Sequence, residues 1–434
     1  MGTLKAAAGE VDLAPAAGNW MTGFAARIQP ATGVHDPIMA RALLLDDGST
    51  RLAVVSCDLL GFAPADVAWM RRRIVLSQAL PESQILIVCT HTHSGPACMR
   101  LRGIMGQVNG AWLAEARAMI IDLVARLPER LAPAHLALAS TTLAGIGYNR
   151  QDQAHPTDEE LIALSIEAED GSTIATIANY ATHAVVLGPS NLQFSGDFPG
   201  AVVRHLARLR GGVGLYLQGA CGDVDPVVHR DRGWNTGTFA DAEAIGKRLA
   251  TAATQALAGA PRTGEVTLRV AYKRVSVPLD PPPARDNLAE LTTRWEAERR
   301  QAKAEGNAMA EWIAVAMLDW ADELEWALAT GAVPRTLPSE LFVAGINDLR
   351  LVALPFETYT DIGLEIKRGL APRPALFAGY ANGLYGYCPT RWAKDQGGYG
   401  PGDSHRWFSE LLTPIGYGAD ELLIREGIAL ASSL

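Results

Sequence analysis

The chain has 434 residues, of which 48% are apolar and 20% charged, the balance of an ordinary globular protein, and this excludes bulk disorder and coiled-coil architecture. Lysine and arginine number 38 against 47 acidic residues, a net charge of −9, so neither nucleic acid nor an anionic membrane is an expected partner. No window approaches the roughly 18 apolar residues needed to span a bilayer, and no basic start with a following apolar segment opens the chain, so the expected compartment is cytoplasmic.

In chain order, short β-rich apolar runs alternate with helical stretches through the first 260 residues. This is the signature of an α/β fold, a mixed β-sheet flanked by helices. Strands are expected at 40–47, 51–58, 84–91, 135–141, 173–183 and 213–220, and helices at 65–78, 110–127, 198–211 and 238–257. A strand pair is expected over 266–279, followed by an inserted helical hairpin over 285–330 that is rich in charge, alanine and tryptophan. A strand–turn–strand unit with Asn347-Asp348 as its turn, a helix at 360–370 and a last strand at 374–381 complete the pattern. No linker or repeat divides the chain, and residues 1–434 are expected to form a single domain. Five cysteines without a CxxC pair indicate neither a disulfide framework nor a zinc ribbon.

Polar clusters follow several of the apolar strands. Cys89-Thr90-His91-Thr92-His93-Ser94-Gly95-Pro96 puts two imidazoles on one face of an extended segment, either converging on a ligand or capping the strand. Thr182-His183, with Ser195-Gly196-Asp197 after it, repeats that placement. Gly219 to Pro226 brings small residues and the carboxylates of Asp223 and Asp225, a close-approach loop or a self-capped turn. Glu357, directly behind an apolar strand, calls for a cation or an arginine. Two or three histidines with a glutamate suit Zn²⁺ with an open position for water, which implies hydrolysis.

The same residues carry a resemblance. GNWMTGFAAR, GVHDPIMARALLL, HTHSGP, Tyr148-Asn149-Arg150, ATH with the later SGD, GDVDP, PFET and the tyrosine-rich run from Asn382 to Tyr387 are similar to the N-terminal catalytic domain of the neutral, non-lysosomal ceramidase family. The resemblance implies a zinc amidase with His91, His183, Glu357 and Tyr387 as metal ligands and with His93 and Arg150 facing the substrate. Asp223 and Tyr385, in the matching motifs, are counted with the substrate contacts. Where this family carries a serine, the chain has Asp225, which is expected to assist deprotonation. The expected function is therefore zinc-dependent cleavage of an amide bond in a small soluble substrate by His93, Arg150 and Asp225. The alternatives are an esterase, a lactonase or a glycoside-cleaving hydrolase on the same metal site, or a non-catalytic metal-containing binding protein. Homo-oligomerisation is left open. The Gly-rich run 398–405 is expected to form a lid, and His35 either lines the pocket or is structural.

Overall fold

A computed structural model describes residues 2–78 and 80–434. Among the described residues the larger sheet has nine strands, eight of them on one path: β1 (Lys5–Asp12), β2 (Met39–Asp46), β3 (Arg51–Cys57), β4 (Ile85–Cys89), β5 (Ala132–Thr142), β6 (Glu160–Ala168), β7 (Thr173–Tyr180) and β8 (Val213–Gln218), with the short Arg262–Thr263 pairing β5 off that path. Their spatial order is β8-β7-β6-β5-β1-β2-β3-β4, and only the outermost pairs, β8 with β7 and β3 with β4, run parallel. A second sheet carries β9 (Leu268–Pro278), β10 (Thr336–Ile346), β11 (Leu349–Ala353) and β12 (Ala375–Ala378), in that order, with β11 and β12 parallel.

Alternation along the strands explains why the sheets stack. Leu43, Leu45, Val54 and Leu86 of the first sheet share one buried cluster with Phe342, Ala344, Leu351 and Leu376 of the second. Their sequence neighbours Leu44, Val55 and Ile87 point the opposite way, into a cluster shared with Ile120 and Val124 of helix α2 (Gly110–Arg126). Both faces of the central strands are thus buried, so they read as continuous apolar runs. Helix α1 (Pro64–Gln78) packs on α2, while α3 (Asp197–Arg210) and α4 (Phe239–Leu257) cover the β5–β8 half.

The expected hairpin is present as α5 (Arg285–Glu305) and α6 (Ala308–Thr330), between β9 and β10. Asn347 takes φ +52° at the β10–β11 turn, a left-handed conformation that asparagine tolerates. The region 266–279 differs from expectation: it is mainly one strand, β9, whose eleven residues pair with β10 from Leu268 to Pro278. Its outward positions are mostly polar, and the full-length pairing with β10 keeps the run in one strand. After β11 comes α7 (Thr360–Leu370), and the chain closes with α8 (Ala419–Ser432) packed on α7 and β9–β11. No helix of the described residues is long and apolar enough to cross a membrane.

The outermost strands of the larger sheet come together across it. Gln218, at the end of β8 and fully buried, donates from Nε2 to Thr90 O at 3.0 Å and to Thr182 O at 2.9 Å. One side-chain amide therefore fastens the residues immediately before His91 and His183.

Candidate metal centre and cavity

The carboxyl ends of β4, β7, β8 and β11 open on one place. Beyond β4 the backbone turns sharply, and His91 has φ +62°, a strained conformation for a non-glycine residue that recurs at functional sites. Its N–H is held by Leu59 O at 2.9 Å and its Nδ1 by Leu60 O at 2.8 Å. His183 follows the same plan, with Nδ1 2.7 Å from Cys221 O. Each ring thus spends its Nδ1–H on a carbonyl, which leaves Nε2 as a bare lone pair.

Both bare nitrogens face the same atom. His91 Nε2 and His183 Nε2 each lie 3.2 Å from Glu357 Oε2, all three residues being buried. Neither His183 Nε2 nor Glu357 Oε2 has a hydrogen-bond partner. Lone pairs converging on a carboxylate oxygen repel one another unless a cation lies among them. The spacing fits one: two ligands about 2.0–2.1 Å from a tetrahedral ion stand roughly 3.3 Å apart. His93 Nε2 is a further 3.2 Å neighbour of His91 Nε2. Among the described residues, His91, His93 and His183 are the one group of three with ligand atoms all within 4.8 Å of one another. His93, expected to face the substrate and act in catalysis, therefore also borders the ion site.

Electrostatics follow the same geometry. Burial pushes the Glu357 carboxyl up, but the imidazoles of His91 and His183 outweigh it and hold the group well below the usual carboxylate range. Burial first, then the other two imidazoles, keeps His93 well below the usual histidine value. Burial and the Arg150 charge lower His183 as well.

Glycines let these elements meet. Gly222 has no room for a side chain because a Cβ would overlap the Glu357 carbonyl oxygen. Gly23, with φ +102°, passes so close to His93 that a Cβ would overlap its Nδ1. The loop after β8 is anchored by Asp223, whose Oδ1 accepts from Thr360 N at 2.8 Å and Thr360 Oγ1 at 2.9 Å, and whose Oδ2 accepts from Asn149 Nδ2 at 2.7 Å. Both of its oxygens serve the framework, at the start of α7, and it does not line the cavity. Tyr385 also lies away from that lining, its hydroxyl 3.0 Å from Pro338 O and its ring against Phe356.

Arg150, Asp225 and Tyr387 do gather beside the cluster. Arg150 Nη2 donates to Gly222 O and to Tyr387 Oη at 2.7 and 2.8 Å, and Nη1 lies 3.3 Å from Asp225 Oδ1. Burial works against the guanidinium charge, but Tyr387 and Asp225 outweigh it and keep the group cationic. The Tyr387 ring stacks beside His183 at 6.5 Å between centroids, and burial raises its hydroxyl well above the usual phenol value. Asp225 pairs in register with Tyr148 on a short ribbon, Gly147–Asn149 with Val224–Pro226, which presents its carboxylate to Arg150.

A cavity of about 310 Å³ opens against His93, Arg150 and Tyr387. Phe24, Trp234, Tyr399 and Trp407 contribute to its wall, and none of these four was singled out as a site residue from the sequence. Only the GNWMTGFAAR segment and the Gly-rich run containing Tyr399 had drawn notice, the latter as a lid. His35 is outside the cavity, paired with Asp36 at 2.9 Å and stacked on Phe239 at 3.6 Å. Arg27, 2% exposed, ties the rim together by donating to the carbonyls of Thr22, His93 and Asn191. The helical hairpin supports the cavity from behind: Gly103 touches Ala316 in the segment that carries Met105, and Trp407 packs into the hairpin's own core.

Residues 6–214 match the family model for the N-terminal part of neutral/alkaline non-lysosomal ceramidase. Among characterised proteins, the chain is 26% identical to a neutral ceramidase of Mycobacterium tuberculosis over 240 residues, covering 48% of this chain and 38% of that one. It is 24% identical to neutral ceramidase B of Dictyostelium discoideum, over 42% of this chain and 28% of the relative. The sequence likeness thus spans less than half of either relative. The fold extends further: a ceramidase solved in complex with C2 superposes at a TM-score of 0.73 with 18% identity, over 100% of this chain and 76% of the other. The neutral ceramidase of Pseudomonas aeruginosa gives 0.72 with 19% identity, over 100% and 75%. The family model thus matches a little under half of the chain, and the whole chain shares its fold with the solved ceramidases.

Proposed function

We propose that the protein is a zinc-dependent hydrolase that cleaves an amide bond in a small soluble substrate. The observation that carries this reading is the approach of two imidazole nitrogens to one buried carboxylate oxygen at 3.2 Å each, with neither His183 Nε2 nor that oxygen hydrogen-bonded to anything else. Three imidazoles and a carboxylate are a donor set suited to Zn²⁺. The relatives are named neutral ceramidases, and ceramide is an amide, so the reaction class agrees with the site.

His91, His183 and Glu357 would hold the ion, with Tyr387 beside them and His93 Nε2 within reach. When bound, the ion supplies Lewis acidity and a hydrolytic nucleophile at neutral pH. His93 meets both the ion site and the cavity and is placed to hold or move a proton at Nε2. The Arg150 fork, fixed by Gly222 O and Asp225, presents a permanent positive charge to negative charge developing on a substrate oxygen. Tyr387, whose oxygen already accepts from Arg150, has its O–H left to donate. Asp225 holds that fork and offers a carboxylate for deprotonation.

The test is a substrate panel of acyl amides, matched esters and aryl glycosides, run on protein with zinc removed and then restored. The proposal expects amide turnover that vanishes on chelation and returns with zinc. Turnover confined to esters or glycosides, or untouched by chelation, overturns it.

A further inference from the structure

The cavity has a polar end and an apolar body. His93, Arg150 and Tyr387 form the first, next to the ion site, while Phe24, Met105, Val185, Trp234, Tyr399 and Trp407 form most of the second. These six come from five chain segments that only the fold assembles. Trp234 and Tyr399 remain 51% and 49% exposed, so large ring faces stand open to solvent where the cavity meets the surface. Two such faces lining one concave site are surface that a ligand would remove from water.

The wall is also preformed. Phe24 meets Trp234 edge-on at 5.9 Å, His229 braces Trp234 at 4.5 Å with its Nε2 tied to Val185 O at 2.7 Å, and Tyr399 meets Tyr387 edge-on at 5.8 Å. Phe24 continues to the His93 ring at 4.8 Å, so the apolar surface runs up to the reacting end. At about 310 Å³ the cavity lies at the lower limit of small-molecule sites, which run from about 300 to 1,000 Å³. At about 30 Å³ per water-sized group, that volume takes roughly ten non-hydrogen atoms.

Resting on the amidase reading above, we propose that the substrate is an amide carrying one short apolar arm, roughly ten non-hydrogen atoms in all, and not a two-tailed lipid. The amide lies at the polar end, and the arm, aliphatic or aromatic, packs between the rings of Phe24 and Trp234 on one side and Tyr399 and Trp407 on the other. The arm stands on either the carbonyl or the nitrogen of the amide, and the same wall would receive it.

The experiment is calorimetric titration, with tryptophan fluorescence as a second readout, of the zinc-loaded full chain with straight-chain amides from acetamide to decanamide and with N-alkylacetamides of the same lengths. The expected result is a dissociation constant that falls about four-fold per added methylene in at least one series and levels off near octanamide. Trp234→Ala and Tyr399→Ala should each flatten that slope. Affinity independent of arm length, or a gain that continues without a break through decanamide, overturns the proposal. If the slope is present but no amide is cleaved, the substrate shape stands and the hydrolase reading fails. If acetamide is cleaved and kcat/KM ignores arm length, the hydrolase reading stands and this one fails.

Discussion

Gln218→Leu tests whether the histidines are placed by the closure of the larger sheet. The Gln218 amide donates to Thr90 O and Thr182 O, each one residue before an ion-facing histidine, and its Oε1 accepts from Tyr216. Leucine is close in size, so little volume is lost, but two buried carbonyls lose their donor. At about 1–3 kcal/mol for each buried polar group left unpaired, the variant should lose roughly 2–6 kcal/mol of stability. Because the freed backbone leads directly into His91 and His183, zinc affinity should fall as it does when groups that orient ligands are removed, by about 10- to 100-fold. Denaturant midpoints give the first quantity and chelator competition the second, with the exposed change Gln301→Leu as a control. A Gln218→Leu protein with unchanged zinc affinity would refute the link between sheet closure and ligand placement, whatever its stability.

Other consequences can be checked separately. Gly23→Ala should abolish amide cleavage while leaving secondary structure intact by circular dichroism, because the new methyl overlaps His93 Nδ1 at a φ of +102°; wild-type turnover would contradict the packing. Arg102, 2% exposed, pairs with Glu323 at 2.5 Å and donates to Phe408 O at 2.7 Å, joining the hairpin to the Trp407 segment. Arg102→Ala should therefore cost about 2–4 kcal/mol in a denaturation curve, chiefly from the buried carbonyls left without a donor, and a loss below about 1 kcal/mol would show that the hairpin is not fastened there. Burial raises the Asp197 carboxyl to about 7, against hydrogen bonds from Leu187 N and Phe198 N that lower it. A folded-state value above the unfolded one means stability fully present at low pH and lost as pH rises towards about 7. Asp197→Asn should weaken that decline in the thermal midpoint between pH 5 and 7.5, and parallel wild-type and variant profiles would dismiss it.

What the sequence reveals follows from where burial lies. Strands β2, β3 and β4 are readable because both faces are buried, leaving runs such as Leu43-Leu44-Leu45 without a polar break. Strand β1 is built from Lys5-Ala6-Ala7-Ala8-Gly9, residues with little strand propensity, and pairing with β2 along all eight of its residues overrides it. Strand β6, also missing from the expected set, begins with glutamate and carries alanine and serine within its apolar run, and it is fixed by β5 and β7 on either side. Helix α8 was likewise not anticipated.

At the site, His91, His183 and Glu357 could be singled out because each follows an apolar strand, a local signal. The roles of the other polar residues are tertiary. Asp223 and Asp225 look alike in sequence, yet the fold directs the first into Thr360 and Asn149 and the second to Arg150. The aromatic wall had no periodicity to betray it, since Phe24, Trp234 and the Tyr399–Trp407 segment come from three distant parts of the chain.

The most direct measurement is anomalous X-ray scattering from crystals of the protein purified with zinc, collected on both sides of the zinc absorption edge. The account predicts one strong peak bonded to His91 Nε2, His183 Nε2 and Glu357 Oε2, and its disappearance in His91→Ala together with amide turnover. An active, peak-free crystal, or an ion bound elsewhere while these three side chains stay unligated, would contradict it.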